Sequence, residues 1–144
     1  MTSRLFILTL FISLLATACV HQRGVVSGIW IGKARTAIEA EGQTLMKSST
    51  YRYELNPDGT CTVTVNSLWE IDGAETVSEF SGIWEQHAQT ITVKYNLLDE
   101  KNASADYATT PRDWNEVRHV FEFVDSGAGL LGMIDKKTVH LTRE

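Results

Sequence analysis

The stretch "YRYELNPDGTCTVTV", Tyr51 to Val65, limits the possible folds more than any other part of the chain. Tyr51, Tyr53 and Leu55 alternate with Arg52 and Glu54, and Cys61, Val63 and Val65 alternate with Thr60, Thr62 and Thr64. A period of two puts each set on one face of a strand. Between the runs stand Asn56, Pro57, Asp58 and Gly59. Pro57 presets φ and Gly59 accepts a positive φ, which is turn chemistry. The stretch predicts a β-hairpin with one apolar and one polar face.

The same pattern returns downstream. "GIWEQHAQTITVKYNLL" predicts two strands around a polar turn, with Ile91, Val93, Tyr95 and Leu97 on one face of the second. "EVRHVFEFVD" puts Val117, His119, Phe121 and Phe123 on one face, with Val120 and Val124 on the other. "GAGLLG", Gly127 to Gly132, is expected to be a hairpin turn, and strands flank Asp135-Lys136-Lys137. "KARTAIEAEGQTLM" fits either a short helix or strand and loop, because Gly42 interrupts it and no wide apolar stripe is present. Asp99 to Glu116 forms a long polar loop of the kind that is usually functional. Several short strands at near-regular spacing imply a small antiparallel barrel or sandwich in a single domain.

"SGIW" occurs at Ser27–Trp30 and again at Ser81–Trp84. The following residues differ at once, "IGKART" against "EQHAQT", which excludes a tandem repeat. Both copies are expected to start strands, each pairing a flexible Gly with a large buried Trp. A G-x-W opening strand, an aromatic hairpin through "NPDGT", a second G-x-W strand and the alternating "TITVKY" together resemble the small lipocalin-like (calycin-type) domains of bacterial lipoproteins. The resemblance covers most of residues 27–144 and leaves 100–116 unmatched. It implies an all-β, up-and-down barrel of about eight strands whose interior holds a small hydrophobic ligand.

The N-terminus carries a separate signal. Arg4 precedes an apolar run from Leu5 to Leu15 that is too short for the ~20 residues of a membrane-spanning helix. It fits the hydrophobic region of a secretory signal. Ala16-Thr17-Ala18-Cys19 resembles the lipobox of bacterial lipoproteins, with Ala16 where that pattern usually has Leu. The resemblance implies a signal peptide over 1–18, acylation of Cys19, a short tether over 19–26 and a barrel domain over 27–144. Ala-x-Ala also satisfies an ordinary secretory cleavage after Ala18. Val20 after the Cys, in place of Asp, implies an outer-membrane anchor with the domain in the periplasm. From Cys19 to Gly28 the chain reaches at most about 30 Å.

Charge and motifs narrow the function. The net charge of −5 and the absence of Lys/Arg runs exclude a nucleic-acid partner. G-x-S-x-G, H-E-x-x-H, Walker A and G-x-G-x-x-G motifs are all missing, so the chain reads as non-enzymatic and without a cofactor. His21, His87, His119 and His140 lack metal-site spacing, so no metal is expected. Cys61 reads as a small buried hydrophobe.

The candidate ligand contacts are the alternating aromatics Trp30, Tyr51, Tyr53, Trp84, Tyr95, Phe121 and Phe123. The same residues suit a packed core. A cavity lined by Tyr53, Trp84 and Phe121 is the expected mark of ligand binding. The sequence therefore predicts an envelope lipoprotein, membrane-bound through Cys19, that takes a small apolar ligand. The alternative is a filled barrel acting as an interaction or inhibitor module for an envelope protein partner, with Trp69 and Trp114 near its loops.

Overall fold

The computed structural model describes residues 26–100 and 116–144, with only the backbone for 98–100. Eight antiparallel strands run in chain order: β1 Gly28–Ala40, β2 Gln43–Leu55, β3 Thr60–Trp69, β4 Glu75–His87, β5 Thr90–Glu100, β6 Glu116–Val124, β7 Gly129–Ile134 and β8 Lys137–Arg143. Each pairs with the next, and β8 returns to β1 through Trp30↔Arg143 and Ile31↔Thr142. This is a closed up-and-down barrel. The alternating pattern leaves barrel and sandwich open, and the lipocalin-like resemblance implies the up-and-down barrel.

The hairpin read from Tyr51–Val65 forms as β2 and β3. Its inward set, Tyr51, Tyr53, Leu55, Cys61 and Val63, is buried. Asp58 Oδ1 closes the turn by accepting from the Thr60 amide at 2.9 Å and the Thr60 hydroxyl at 2.6 Å. The segment around Gly42 is strand, turn and strand. Glu41 and Gly42 both have positive φ, as a two-residue hairpin turn requires. The polar loop is shorter than expected at its flanks, since β5 runs through Glu100 and β6 opens on Glu116. The signal peptide, Cys19, His21 and Trp114 lie outside the described residues.

Two expectations change. The second "SGIW" does not open a strand, because β4 starts at Glu75 and carries the motif in its second half. The polar run before it, "ETVSE", hides the strand because its outer face meets water. "GAGLLG" is a turn only at its start. A single 3-10 turn covers Asp125–Gly127, and Gly129 and Gly132 belong to β7.

Both copies of the motif nevertheless serve the same end of the barrel. β1 leaves that end and β4 arrives there. Trp30 Nε1 donates to the Val26 carbonyl at 2.9 Å, and Trp84 Nε1 donates to the Asn56 carbonyl at 2.8 Å. Each large indole is buried with its polar atom satisfied. Val26, the last residue of the expected tether, is itself in the core. Arg143 covers this end, donating to the Ser27 carbonyl at 2.6 Å with its guanidinium 5.9 Å from the Trp30 ring centroid.

The two motif glycines are needed for different reasons. Gly28 has φ +135°, a conformation that side chains rarely adopt. At Gly82 a Cβ would collide with the Lys94 carbonyl and lie 2.9 Å from the Tyr95 Cβ. It sits where the β4–β5 register shifts after Phe80. Gly82→Ala is therefore expected to destabilise the barrel by about 1–3 kcal/mol through overpacking. Urea unfolding measures this, and an unchanged midpoint would contradict the packing described.

Candidate functional site

Among the described residues the barrel is packed at one end and open at the other. At the packed end lie Trp30, Leu55, Trp84 and Leu141, each under 4% exposed. An eight-stranded barrel has room inside for little more than its own side chains. The large aromatics use up that room in the lower half. At the other end lie the 41–42, 70–74 and 135–136 turns, together with the ends of β5 and β6. A cup of about 350 Å³ opens there.

Five strands and a turn supply the cup's main side chains. Tyr51 comes from β2, Ser67 from β3, Thr76, Ser78 and Phe80 from β4, Tyr95 from β5, His119 from β6 and Asp135 from the β7–β8 turn. Lys47 stands at the rim, with its ammonium 5.8 Å from the Trp69 ring centroid.

Rings line the wall in sequence. Phe80 and Tyr95 lie 5.0 Å apart between centroids and 32° from parallel. Tyr95 meets His119 edge-on at 5.6 Å, and His119 meets Tyr51 at 6.4 Å. The Tyr51 hydroxyl donates to Asp135 Oδ2 at 3.3 Å. The arc of four rings therefore ends on a carboxylate. Nearer the rim than Tyr51, the buried Ser49 and Ser67 hydroxyls pair at 2.9 Å.

The floor is the contact between Tyr53 and His119, whose hydroxyl and Nδ1 lie 2.8 Å apart. Burial lowers the imidazole's affinity for a proton, and Asp135 offsets part of that effect. Burial also pushes the Tyr53 hydroxyl well above the usual phenol range, with the other tyrosines and Asp135 adding to it. Both groups are thus held neutral. The hydroxyl and Nδ1 make one hydrogen bond, whose direction follows the imidazole tautomer. Burial, then Asp135, pushes Tyr51 up to about 12, and burial and nearby anionic charge also raise Tyr95.

The aromatics singled out from the sequence divide between floor and cup. Tyr51 and Tyr95 line the cup. Trp30, Tyr53, Trp84 and Phe121 belong to the packed core. Phe123 is half-buried near the packed end, where its amide donates to the Gln89 carbonyl at 3.0 Å. The expected cavity lined by Tyr53, Trp84 and Phe121 is not present among the described residues: all three are packed in the core, and none of them lines the cup above. Alternation placed His119 on the correct face without marking it as a site residue. Asp135 carried no signal, because a turn residue has no period to follow.

His119 and His140 do not meet. His119 is buried inside, whereas His140 is exposed, 3.5 Å from Asp125. Cys61 faces inward at 3% exposure, and burial pushes its thiol up to about 11, which keeps it protonated. No family model and no curated protein sequence matches the chain.

The lowered basicity of His119 has a consequence for stability. Its unfolded value is 6.5 and its folded value lies below that. The unfolded chain therefore binds the extra proton first, and stability present above pH 6.5 is lost as pH falls through the folded value. Urea unfolding from pH 7 to pH 5 is expected to show this decline, with a flat profile over the same window for His119→Phe. A decline of equal size in the variant would assign it to other groups.

Proposed function

We propose that the protein is a ligand-binding barrel of the cell envelope, of the lipocalin-like kind its sequence resembles, and that the open cup is its binding site. The observation that carries this reading is the cup itself, a concave site with an aromatic wall and a few convergent polar groups above a tightly packed floor. Its volume of about 350 Å³ lies near the lower bound for small-molecule sites. The ligand is correspondingly small, with an apolar body against Phe80, Tyr95, Val65 and Val117 and a polar group toward the rim.

The N-terminal pattern supports a lipid anchor on Cys19 and an outer-membrane address, with the domain in the periplasm. The chain enters the barrel at the packed end, where Val26 is buried. Seven residues from Cys19 to Val26 reach roughly 25 Å at most. An anchor at Cys19 thus holds the packed end near the bilayer and turns the cup toward the aqueous side. The ligand is exchanged with water-borne pools on this reading, and the protein acts without catalysing a reaction.

A second reading, an interaction or inhibitor module, is supported by an apolar strip on the outer wall. Val120, Leu131 and Met133 are 43%, 39% and 62% exposed there, beside Arg118, Glu122 and Thr138. Patches of this kind mark contact surfaces.

Native mass spectrometry of gently extracted protein separates the two readings. The ligand reading expects a small-molecule adduct on the wild type and none on Val117→Trp, whose indole fills the cup. A bare wild-type mass, or an adduct equally present on the variant, counts against the cup and favours the outer strip.

A further inference from the structure

We propose that the cup selects small organic cations, taking a protonated amine beside Asp135 with its apolar body against the arc of rings formed by Tyr51, His119, Tyr95 and Phe80. This rests on the reading of the cup as a ligand site and adds the chemical class of the ligand.

Three features converge on a cation. The first is geometry. Asp135 lines the cup and is joined to the ring arc through the Tyr51 hydroxyl at 3.3 Å, so a carboxylate oxygen and aromatic surface are presented together. That pairing suits an ammonium carried on an apolar body, because ring quadrupoles attract cations and a carboxylate completes the charge. Opposite it, the hydroxyls of Ser67, Thr76 and Ser78 offer oxygens that accept from N–H donors.

The second is the balance of charge at the mouth. Lys47 also lines the cup, yet its ammonium is directed to the Trp69 ring, which is not part of the lining. Asp135 forms no ion pair within 4 Å among the described residues, so its charge acts on the cup. Its influence reaches Tyr51, Tyr53, Tyr95 and His119, favouring the more positive form of each. The third is the acidic chain as a whole, net −5, which favours approach of cations over anions. Asp135 is exposed at the rim among the described residues, so an ammonium beside it stays partly hydrated, which limits the desolvation cost that a fully buried carboxylate would impose.

The test uses matched ligands with one body and three heads: 3-phenylpropylamine, 3-phenylpropanol and 3-phenylpropionate, with a second series on an indolylethyl body. Titration calorimetry at pH 7 on the folded protein reads the affinities. The expected order is amine over alcohol by about tenfold, with the carboxylate weakest. Asp135→Asn is expected to erase the amine's advantage while leaving alcohol binding in place, and added salt is expected to weaken the amine alone. Alcohol binding equal to or tighter than amine binding overturns the cation inference and leaves the cup standing as a ligand site. Failure of every head on both bodies overturns the inference together with the reading it rests on. An amine preference that survives Asp135→Asn overturns the assignment of Asp135.

Discussion

The hydrogen bond between Tyr53 and His119 separates a packed half of the barrel from an open one. Below it, the interior of an eight-stranded barrel is consumed by Trp30, Leu55, Phe121 and their neighbours. Above it, the inward residues become smaller or more polar: Ser49, Ser67, Ser78 and Thr76. The pair closes the floor with the buried hydroxyl and Nδ1 satisfying one another. An apolar pair at these positions would pack as well but would present no polar atom at the base of the cup. A charged pair would pay desolvation that nothing nearby offsets.

Strand length reinforces this division. β1 and β2 each run 13 residues, whereas β7 and β8 run 6 and 7. The wall is therefore uneven, and its short side ends in the tight 135–136 turn. That low rim is where the carboxylate sits. On the tall side, Arg35 on β1 holds Glu70 of the β3–β4 turn through contacts of 2.7 and 2.6 Å, while Ser48 on β2 reaches the same carboxylate at 3.1 Å. These exposed contacts tie three strands together where the barrel has no packed interior to hold them.

Much of this was legible in the sequence because a barrel wall is a two-period object. Alternation alone assigns Tyr51, Tyr53, Ile91, Val93, His119 and Phe121 to the inside. It says nothing about height along the barrel axis, which depends on strand tilt and register. Tyr51 and Tyr53 are two residues apart on one face, yet one lines the cup and the other closes its floor. The repeated "SGIW" marked two buried tryptophans correctly but gave the wrong strand position for the second. β4 continues upstream as a polar-faced strand whose only buried residue before the motif is Phe80. The serines of the cup also lack a sequence signal, because a hydroxyl on an inward face reads as a break in the apolar pattern.

Asp135 is the residue that sequence reasoning was least able to find, and its backbone gives the physical reason to notice it. Asp135 and Lys136 have φ of 49° and 62°, left-handed values that a two-residue hairpin demands and that glycine accommodates best. The β1–β2 turn meets the same demand with Gly42 at its second position. The β7–β8 turn has no glycine, and left-handed side-chain-bearing residues cost roughly 1–2 kcal/mol each, less for Asp. A glycine at 135 would relax the turn and remove the carboxylate from the cup together with its contact to Tyr51. Strain of this kind persists where the surrounding structure holds it, and here the β7–β8 ladder does so on both sides. The turn therefore trades backbone ease for a charge set at the rim, where it faces the rings while staying in contact with water.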